Sequence, residues 1–286
     1  MRKIAVLNQK GGVGKTTTVV NLGACLCELG KKVLLVDMDP QANLTLHLGL
    51  ELLRGEPSVY TLLQGEHPPE MVVRDTKLEG LKIIPSDIDL AGLEVELAVQ
   101  GEGRELRLAQ ALQAADGNFD YLFVDCPPSL GLLTLNGVCA VEEIFIPLQT
   151  EFFALQGLGR LLHTVQLVRS KLNPEVDITG IIACMYDGRT SLAVEVLEEI
   201  RRHFGEKVFG TVIRKNVRLA EAPSFGIPIT LYDAKCYGAE DYRSLAREVL
   251  TRAAQISTEA SATESAQPLQ QTTEAVVGDV PIAKAG

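Results

Sequence analysis

Residues 3–17 read KIAVLNQKGGVGKTT, and no other stretch of this chain limits the fold as much. An apolar run of strand length passes into a glycine loop, and the loop into a helical pattern lasting to about residue 30. Strand, short loop and helix make the unit from which parallel sheets are built. The rest of the chain repeats the alternation. Candidate strands are KIAVLN (3–8), KVLLVDMD (32–39), LKIIPS (81–86), DYLFVDC (120–126), EIFIPLQ (143–149), DITGIIACMY (177–186), KVFGTVI (207–213) and PITLYD (228–233). Several are apolar on both faces, as strands covered by helices on both sides should be. Helical patterns fall near 15–30, 104–115, 155–172, 191–204 and 238–255, while 40–80 reads as short helices and loops. The expected fold is α/β: a doubly wound, mostly parallel sheet with helices on both faces and right-handed crossovers.

The loop carries chemistry as well as topology. Anchored on Gly14-Lys15-Thr16, it nearly matches G-x-x-x-x-G-K-[ST], a pattern whose backbone N–H groups cradle phosphates. Position 9 should then be glycine; it is Gln9, followed by an additional lysine, Lys10. N–H groups near Gly11–Lys15 can converge on an anion only where side chains keep clear, and the helix N-terminus adds a favourable field. In such a loop Lys15 sits on the β- and γ-phosphates and the Thr16 hydroxyl on Mg2+. A glycine turn without a ligand has no use for that lysine and threonine in register. DYLFVDCPPS ends an apolar strand at Asp125, as a Walker B carboxylate near magnesium should, and KVLLVDMDP ends at Asp37 and Asp39. Strand ends of an open parallel sheet face the ligand crevice. One of that pair is therefore a candidate to position an attacking water, because phosphoryl transfer relies on positioning and charge neutralisation. Capping a turn or helix is the competing role for each.

Charge limits the partners. The net charge over 286 residues is −10, so a surface basic all round is excluded and any nucleic-acid contact needs a local patch. Arg201, Arg202, Lys207, Arg214, Lys215 and Arg218 cluster between 201 and 218, a run that fits a solvated face equally well. Hydrophobic residues make up 46%, enough for a sizeable core. No run reaches the roughly 18 apolar residues of a membrane span. The N-terminal apolar run is too short for an export signal. None of the six cysteines forms a C-x-x-C pair, which predicts reduced thiols in a cytosolic protein, Cys25 and Cys27 among them as core residues. From about Ala254 the chain becomes rich in Ser, Thr, Ala and Gln and has no aromatic residue, a composition that cannot offset chain entropy. The expected organisation is one domain over 1–253 and a disordered tail over 254–286.

KGGVGKTT, LLVDMDPQAN and DYLFVDCPPSLGLLTLN together resemble the ParA/MinD branch of P-loop ATPases, which carry a deviant Walker A motif with a signature lysine matched by Lys10. MYDGRTSLAVEVLEEI, VIRKNVRLAEAPSFGIPITLYD and GAEDY narrow the resemblance to chromosomal ParA (Soj-type) partition ATPases over about residues 1–252. The resemblance implies an ATP hydrolase, weak and partner-stimulated, using ATP and Mg2+. It implies that Lys10 reaches across a homodimer interface, so that two subunits sandwich two ATP molecules. Gly11, Gly12, Val13, Gly14 and Lys15 would cradle the phosphates, Thr16 would ligate Mg2+, and Thr17 would contact the α-phosphate. Asp39 would orient the hydrolytic water and Asp125 would stand behind the metal. Pro127, Pro128 and Ser129 fall in the switch II region. Asn216 would meet the adenine, with Arg214 at a position that often contacts the base through its backbone as proline. Ala42 replaces a glycine frequent in the family. Arg189 and Arg218 match basic positions of a surface that binds DNA without sequence preference.

The resemblance thus implies a cytoplasmic, nucleoid-associated partition ATPase with a ParB-type partner and no membrane. A relative positioning another cargo would share the fold and chemistry. A MinD-like membrane-cycling ATPase would need a basic amphipathic C-terminal helix, which this acidic tail does not supply. An iron–sulfur carrier of the same fold would need paired cysteines at a dimer axis. The nine residues before Lys10 leave no room for a helix-turn-helix, so sequence-specific operator binding is not expected.

Overall fold

The structure is a computed structural model and describes residues 1–99, 101–113, 117–151 and 154–265. Met1–Glu248 form one compact unit and Val249–Gly286 a second. The strands are β1 (Arg2–Val6), β2 (Val33–Asp37), β3 (Arg74–Asp75), β4 (Leu81–Ile84), β5 (Tyr121–Asp125), β6 (Glu143–Gln149) and β7 (Asp177–Cys184). The first helices are α1 (Lys15–Glu28), α2 (Asn43–His47), α3 (Val59–Gln64), α4 (Pro69–Val72), α5 (Leu90–Ala98) and α6 (Arg107–Leu112). They are followed by α7 (Leu132–Cys139), α8 (Ala154–Lys171), α9 (Ser191–Phe204), α10 (Val217–Glu221), α11 (Ile229–Tyr232) and α12 (Tyr237–Ser265).

The strands form one seven-stranded sheet in the order β3-β4-β2-β5-β1-β6-β7. Every pairing is parallel except β3 with β4, in agreement with the doubly wound expectation. VLLVD of β2 and YLFVD of β5 are buried at all positions, because helices cover both faces. Each large apolar side chain sealed this way contributes roughly 1.5–3 kcal/mol. Packing is close enough to dictate a glycine. A Cβ on Gly180 in β7 would fall 2.5 Å from Phe209 and 2.6 Å from Phe145, so the aromatic cluster there leaves no room for one. Register then sets the site. Val6 of β1 pairs with Asp125, and Asp125 pairs with Asp37, so the ends of three adjacent strands stand side by side.

Two predicted strands are not strands. Among the described residues KVFGTVI meets β7 in an isolated bridge, Ile181 to Val208, and a second bridge, Tyr186 to Arg214, lies just past the ends of both segments. Between them the Gly210 and Thr211 N–H groups turn away and donate to the Glu248 carboxylate at 2.8 and 2.9 Å. PITLYD folds as α11: Pro228 stands at its N-cap, and the Ile229 N–H donates to Asn21 Oδ1 at 2.7 Å. Propensity favoured a strand in both stretches, and tertiary hydrogen bonds overrode it. Helices α5 and α7 were not expected. α12 continues to Ser265, beyond the residue-254 boundary that composition suggested; residues 266–286 of the expected tail lie outside the described residues.

Candidate functional site

The C-terminal ends of β1, β2 and β5 open onto a cleft of about 660 Å³ whose wall includes Gly12, Lys15, Thr16, Asp39, Pro128 and Met185. The loop after β1 owes its path to glycine. Gly12 and Gly14 have φ of 73° and 96°, a region that costs a residue with a Cβ about 1–2 kcal/mol. A Cβ built on Gly11 or Gly12 meets nothing within 4 Å, so the space over the loop stays open. Val13 points the other way and is buried. Gly14 caps α1 without a side-chain hydrogen bond, and no acidic residue occupies the first turn. The unpaired N–H groups and the positive end of the helix are thereby left for an anion.

Lys15 stands in the cleft wall, only 8% exposed. Burial pulls its ammonium below the usual lysine range, opposed by the nearby Asp125 and Asp39 carboxylates. Thr16 Oγ1 donates to Asp125 Oδ2 at 2.7 Å. Asp125 is sealed, its Oδ1 meets no partner, and burial pushes its carboxyl upward. A threonine hydroxyl backed by a carboxylate with an unclaimed oxygen fits a hard divalent cation. Among the described residues no group of three His, Cys, Asp or Glu could hold a metal. Mg2+ would therefore take most of its ligands here from phosphate and water, as it commonly does.

The two aspartates after β2 differ. Asp37 is fully buried and accepts the Thr45 N–H at 2.9 Å, Thr45 Oγ1 at 2.7 Å and the Asp39 N–H at 3.2 Å. Burial pushes its carboxyl up to about 7 against those hydrogen bonds. Asp39 is half-buried and borders the cleft; its Oδ1 accepts the Gln41 N–H at 3.0 Å and its carbonyl accepts Ser86 Oγ at 2.9 Å. Asp37 braces the turn, and Asp39 presents a carboxylate to the ligand space. Ala42 holds φ at 52°, the left-handed conformation for which glycine is the less costly residue.

Lys10 is placed differently from Lys15. Its side chain is 56% exposed, and Nζ donates to Gln149 Oε1 at 2.9 Å and Glu151 Oε2 at 2.5 Å, at the end of β6. Gln149 Nε2 in turn donates to the Gly12 carbonyl at 3.2 Å. The ammonium is held at the rim rather than over its own phosphate loop.

A second cavity of about 280 Å³ adjoins the first, sharing Gly14, Thr17 and Met185. Its wall is largely apolar, with Val217, Leu219 and Tyr242, and includes Asn216. Asn216 caps α10, its Oδ1 accepting the Arg218 N–H at 2.8 Å. Arg214 borders this cavity, but its guanidinium is committed to Asp241 Oδ1 at 2.5 Å and Glu240 Oε2 at 3.1 Å, over the Tyr237 ring. Met185, between the cavities, has φ 52°, strain of the kind that gathers at binding sites.

The basic positions are paired. Arg189 bonds both oxygens of Asp187 at 2.8 and 2.7 Å. Arg218 meets Glu221 at 2.9 Å and Asp233 at 3.6 Å. In the cluster, Arg202 pairs with Glu199 and Lys207 with Asp177. Sequence reasoning missed Thr45, Ser86, Gln149 and Glu151, which hold Asp37, Asp39 and Lys10. They stand outside the motif, and no local pattern marks them.

Fold and loop together define a P-loop nucleotide-binding protein of the deviant Walker A kind. Residues 1–178 match the family described as AAA domain. The chain is 52% identical over 246 residues to the sporulation initiation inhibitor protein Soj of Bacillus subtilis (strain 168), covering 86% of this chain and 97% of that protein. It is 49% identical over 254 residues to the chromosome partitioning protein ParA of Caulobacter vibrioides (strain NA1000 / CB15N), covering 88% and 95%. Among solved structures, cobyrinic acid a,c-diamide synthase from Mycobacterium smegmatis with bound ATP analog and magnesium superposes with TM-score 0.76 at 39% identity, over 87% of this chain and 94% of that one. A variant of Cyanothece McdA in complex with ATP gives TM-score 0.78 at 25% identity, over 88% and 96%. The chain belongs to the ParA/Soj family of chromosome-partitioning ATPases, within the ParA/MinD group.

Proposed function

We propose that this protein is an ATP-driven dimerising switch for chromosome or plasmid partition, which holds nucleoid DNA without sequence preference and is reset by a ParB-type partner. The observation that carries this reading is the placement of the two lysines. Lys15 is buried in the cleft wall, while Lys10 is exposed at the rim and tied to Gln149 and Glu151. A cation outside its own cleft is available to a second copy, where it adds positive charge to phosphates as an arginine finger does.

The substrate is ATP. Backbone N–H groups from Gly11 to Lys15 hold its phosphates, Thr17 meets the α-phosphate, and the apolar cavity at Asn216 takes the adenine. Thr16, with Asp125 behind it, would hold Mg2+, which would supply charge neutralisation to the phosphates when bound. Asp39 orients water for attack, and its half-exposed position fits weak hydrolysis until a partner tightens the site. Arg189 and Arg218 contribute DNA phosphate contacts. Their ion pairs make them conditional: DNA has to displace Asp187, Glu221 and Asp233. Two copies double the patch, so ATP state governs DNA residence through avidity. Among the described residues no helix is long and apolar enough to cross a membrane.

Light scattering tests the reading. With a slowly hydrolysed ATP analogue the mass should double, with ADP it should not, and DNA should be retained only by the doubled species. Lys10→Ala should stay single under every condition. Dimers and turnover in Lys10→Ala equal to the unmodified protein would remove the switch.

A further inference from the structure

His47 is a polar residue of the cleft wall that none of the roles above uses. It ends α2, which packs against α1 and the turn Ala222–Phe225. It is 3% exposed and borders the same cleft as Thr17, Asn43 and Pro223. Its Nε2 is sealed and meets no hydrogen-bond partner. Nδ1 is not among the sealed, unpartnered atoms, and the residue to which it belongs lines the cleft. Burial pulls the imidazole down to about 4, so at neutral pH the ring carries one proton.

That proton has two possible seats. On Nε2 it would be a buried donor with nothing to receive it, and orphaned N–H groups are the costlier kind of unpaired polar atom. On Nδ1 it avoids that cost, and the cleft that His47 lines offers water or a ligand to accept it. We infer that His47, as the Nδ1–H tautomer, is a nucleotide-positioning residue that donates a hydrogen bond to an oxygen of the nucleotide bound in this cleft. This rests on the nucleotide reading of the site and adds a donor from α2 to those of the loop. The helix that begins beyond the Asp39 turn would then sense occupancy directly, through its last residue.

Three variants and one spectrum test it. His47→Leu keeps volume and removes the donor; His47→Asn keeps a side-chain N–H near the place of Nδ1. By calorimetry His47→Leu should bind ATP roughly three- to tenfold more weakly, the worth of one hydrogen bond, and His47→Asn should recover most of the loss. Lys15→Ala, measured alongside, reports on the site itself: if it binds ATP as tightly as the unmodified protein, the nucleotide reading of this cleft fails, whatever His47→Leu does. Equal ATP affinity in His47→Leu and the unmodified protein overturns the inference. So does His47→Asn binding as weakly as His47→Leu while both keep native circular dichroism. Nitrogen-15 spectra of the histidine-labelled protein, with His47 assigned by its absence from His47→Leu, give a readout independent of affinity. The Nδ1–H pattern, shifting when ATP is added, is expected; an Nε2–H pattern, or one indifferent to ATP, sinks the assignment.

Discussion

Two stretches of this chain gather cations, the phosphate loop and the basic run proposed to meet DNA, and the structure treats them in opposite ways. In residues 10–17 the cradle is made by backbone: positive φ at Gly12 and Gly14, a helix start with no side-chain cap, and a lysine buried beside it. Between Arg189 and Arg218 the cations belong to exposed side chains, and most are already satisfied by acids of the same chain. Backbone geometry cannot be screened or turned aside, so the loop is committed to its ligand. Exposed ion pairs are screened by solvent, are worth little and exchange readily. The second region can thus be a surface that binds only when two copies present it together. A basic run in a sequence means little until the fold shows where its counter-charges lie.

Breaking the first region should have the larger effects. Lys15→Ala removes the buried cation, and ATP affinity should fall roughly 100-fold or more, since hydrogen bonds to charged groups are worth about 1.5–3 kcal/mol each. Calorimetry with ATP measures this, and near-normal affinity would show that the cradle needs no lysine. Gly14→Ala forces a Cβ into a left-handed position and should cost about 1–2 kcal/mol of stability in urea unfolding. An unchanged midpoint would mean that the loop relaxes freely.

The second region should respond more gently. Arg218→Glu should weaken DNA retention several-fold at low salt and flatten the salt dependence, while leaving ATP affinity alone, as expected for a phosphate contact. Unaltered retention would place the DNA surface elsewhere. Asp187→Asn sharpens the contrast. Freed of its carboxylate, Arg189 should raise DNA affinity by about two- to threefold and steepen the salt slope by about one. A decrease in DNA affinity would mean that the pair serves to position the arginine rather than to restrain it.

Much of this site was legible because its signals are local. A strand, glycines that permit left-handed backbone, and Lys-Thr opening a helix occupy consecutive positions, so residues 3–17 carry loop and topology at once. The apolar strands β2 and β5 were readable from composition on both faces, and their terminal aspartates from position. KVFGTVI and PITLYD were misread because their strand-like composition is overruled by the Glu248 carboxylate and by Asn21, residues distant in the chain. Nothing local separates the roles of Asp37 and Asp39. Thr45 and burial make one a brace, and the open side of the turn makes the other a cleft residue.

By itself, then, the sequence determined the parallel architecture, the phosphate loop and the family, since backbone permission and hydrophobic period act over a few residues. Only the tertiary structure decided which charges stand open and which are paired. It set Lys10 on Glu151, closed Arg189 and Arg218 onto their acids, and left His47 in the cleft wall. The physical reason is range. Steric and periodic preferences are settled between neighbours along the chain, whereas a charge or a hydrogen bond is settled by whatever group the fold brings near it.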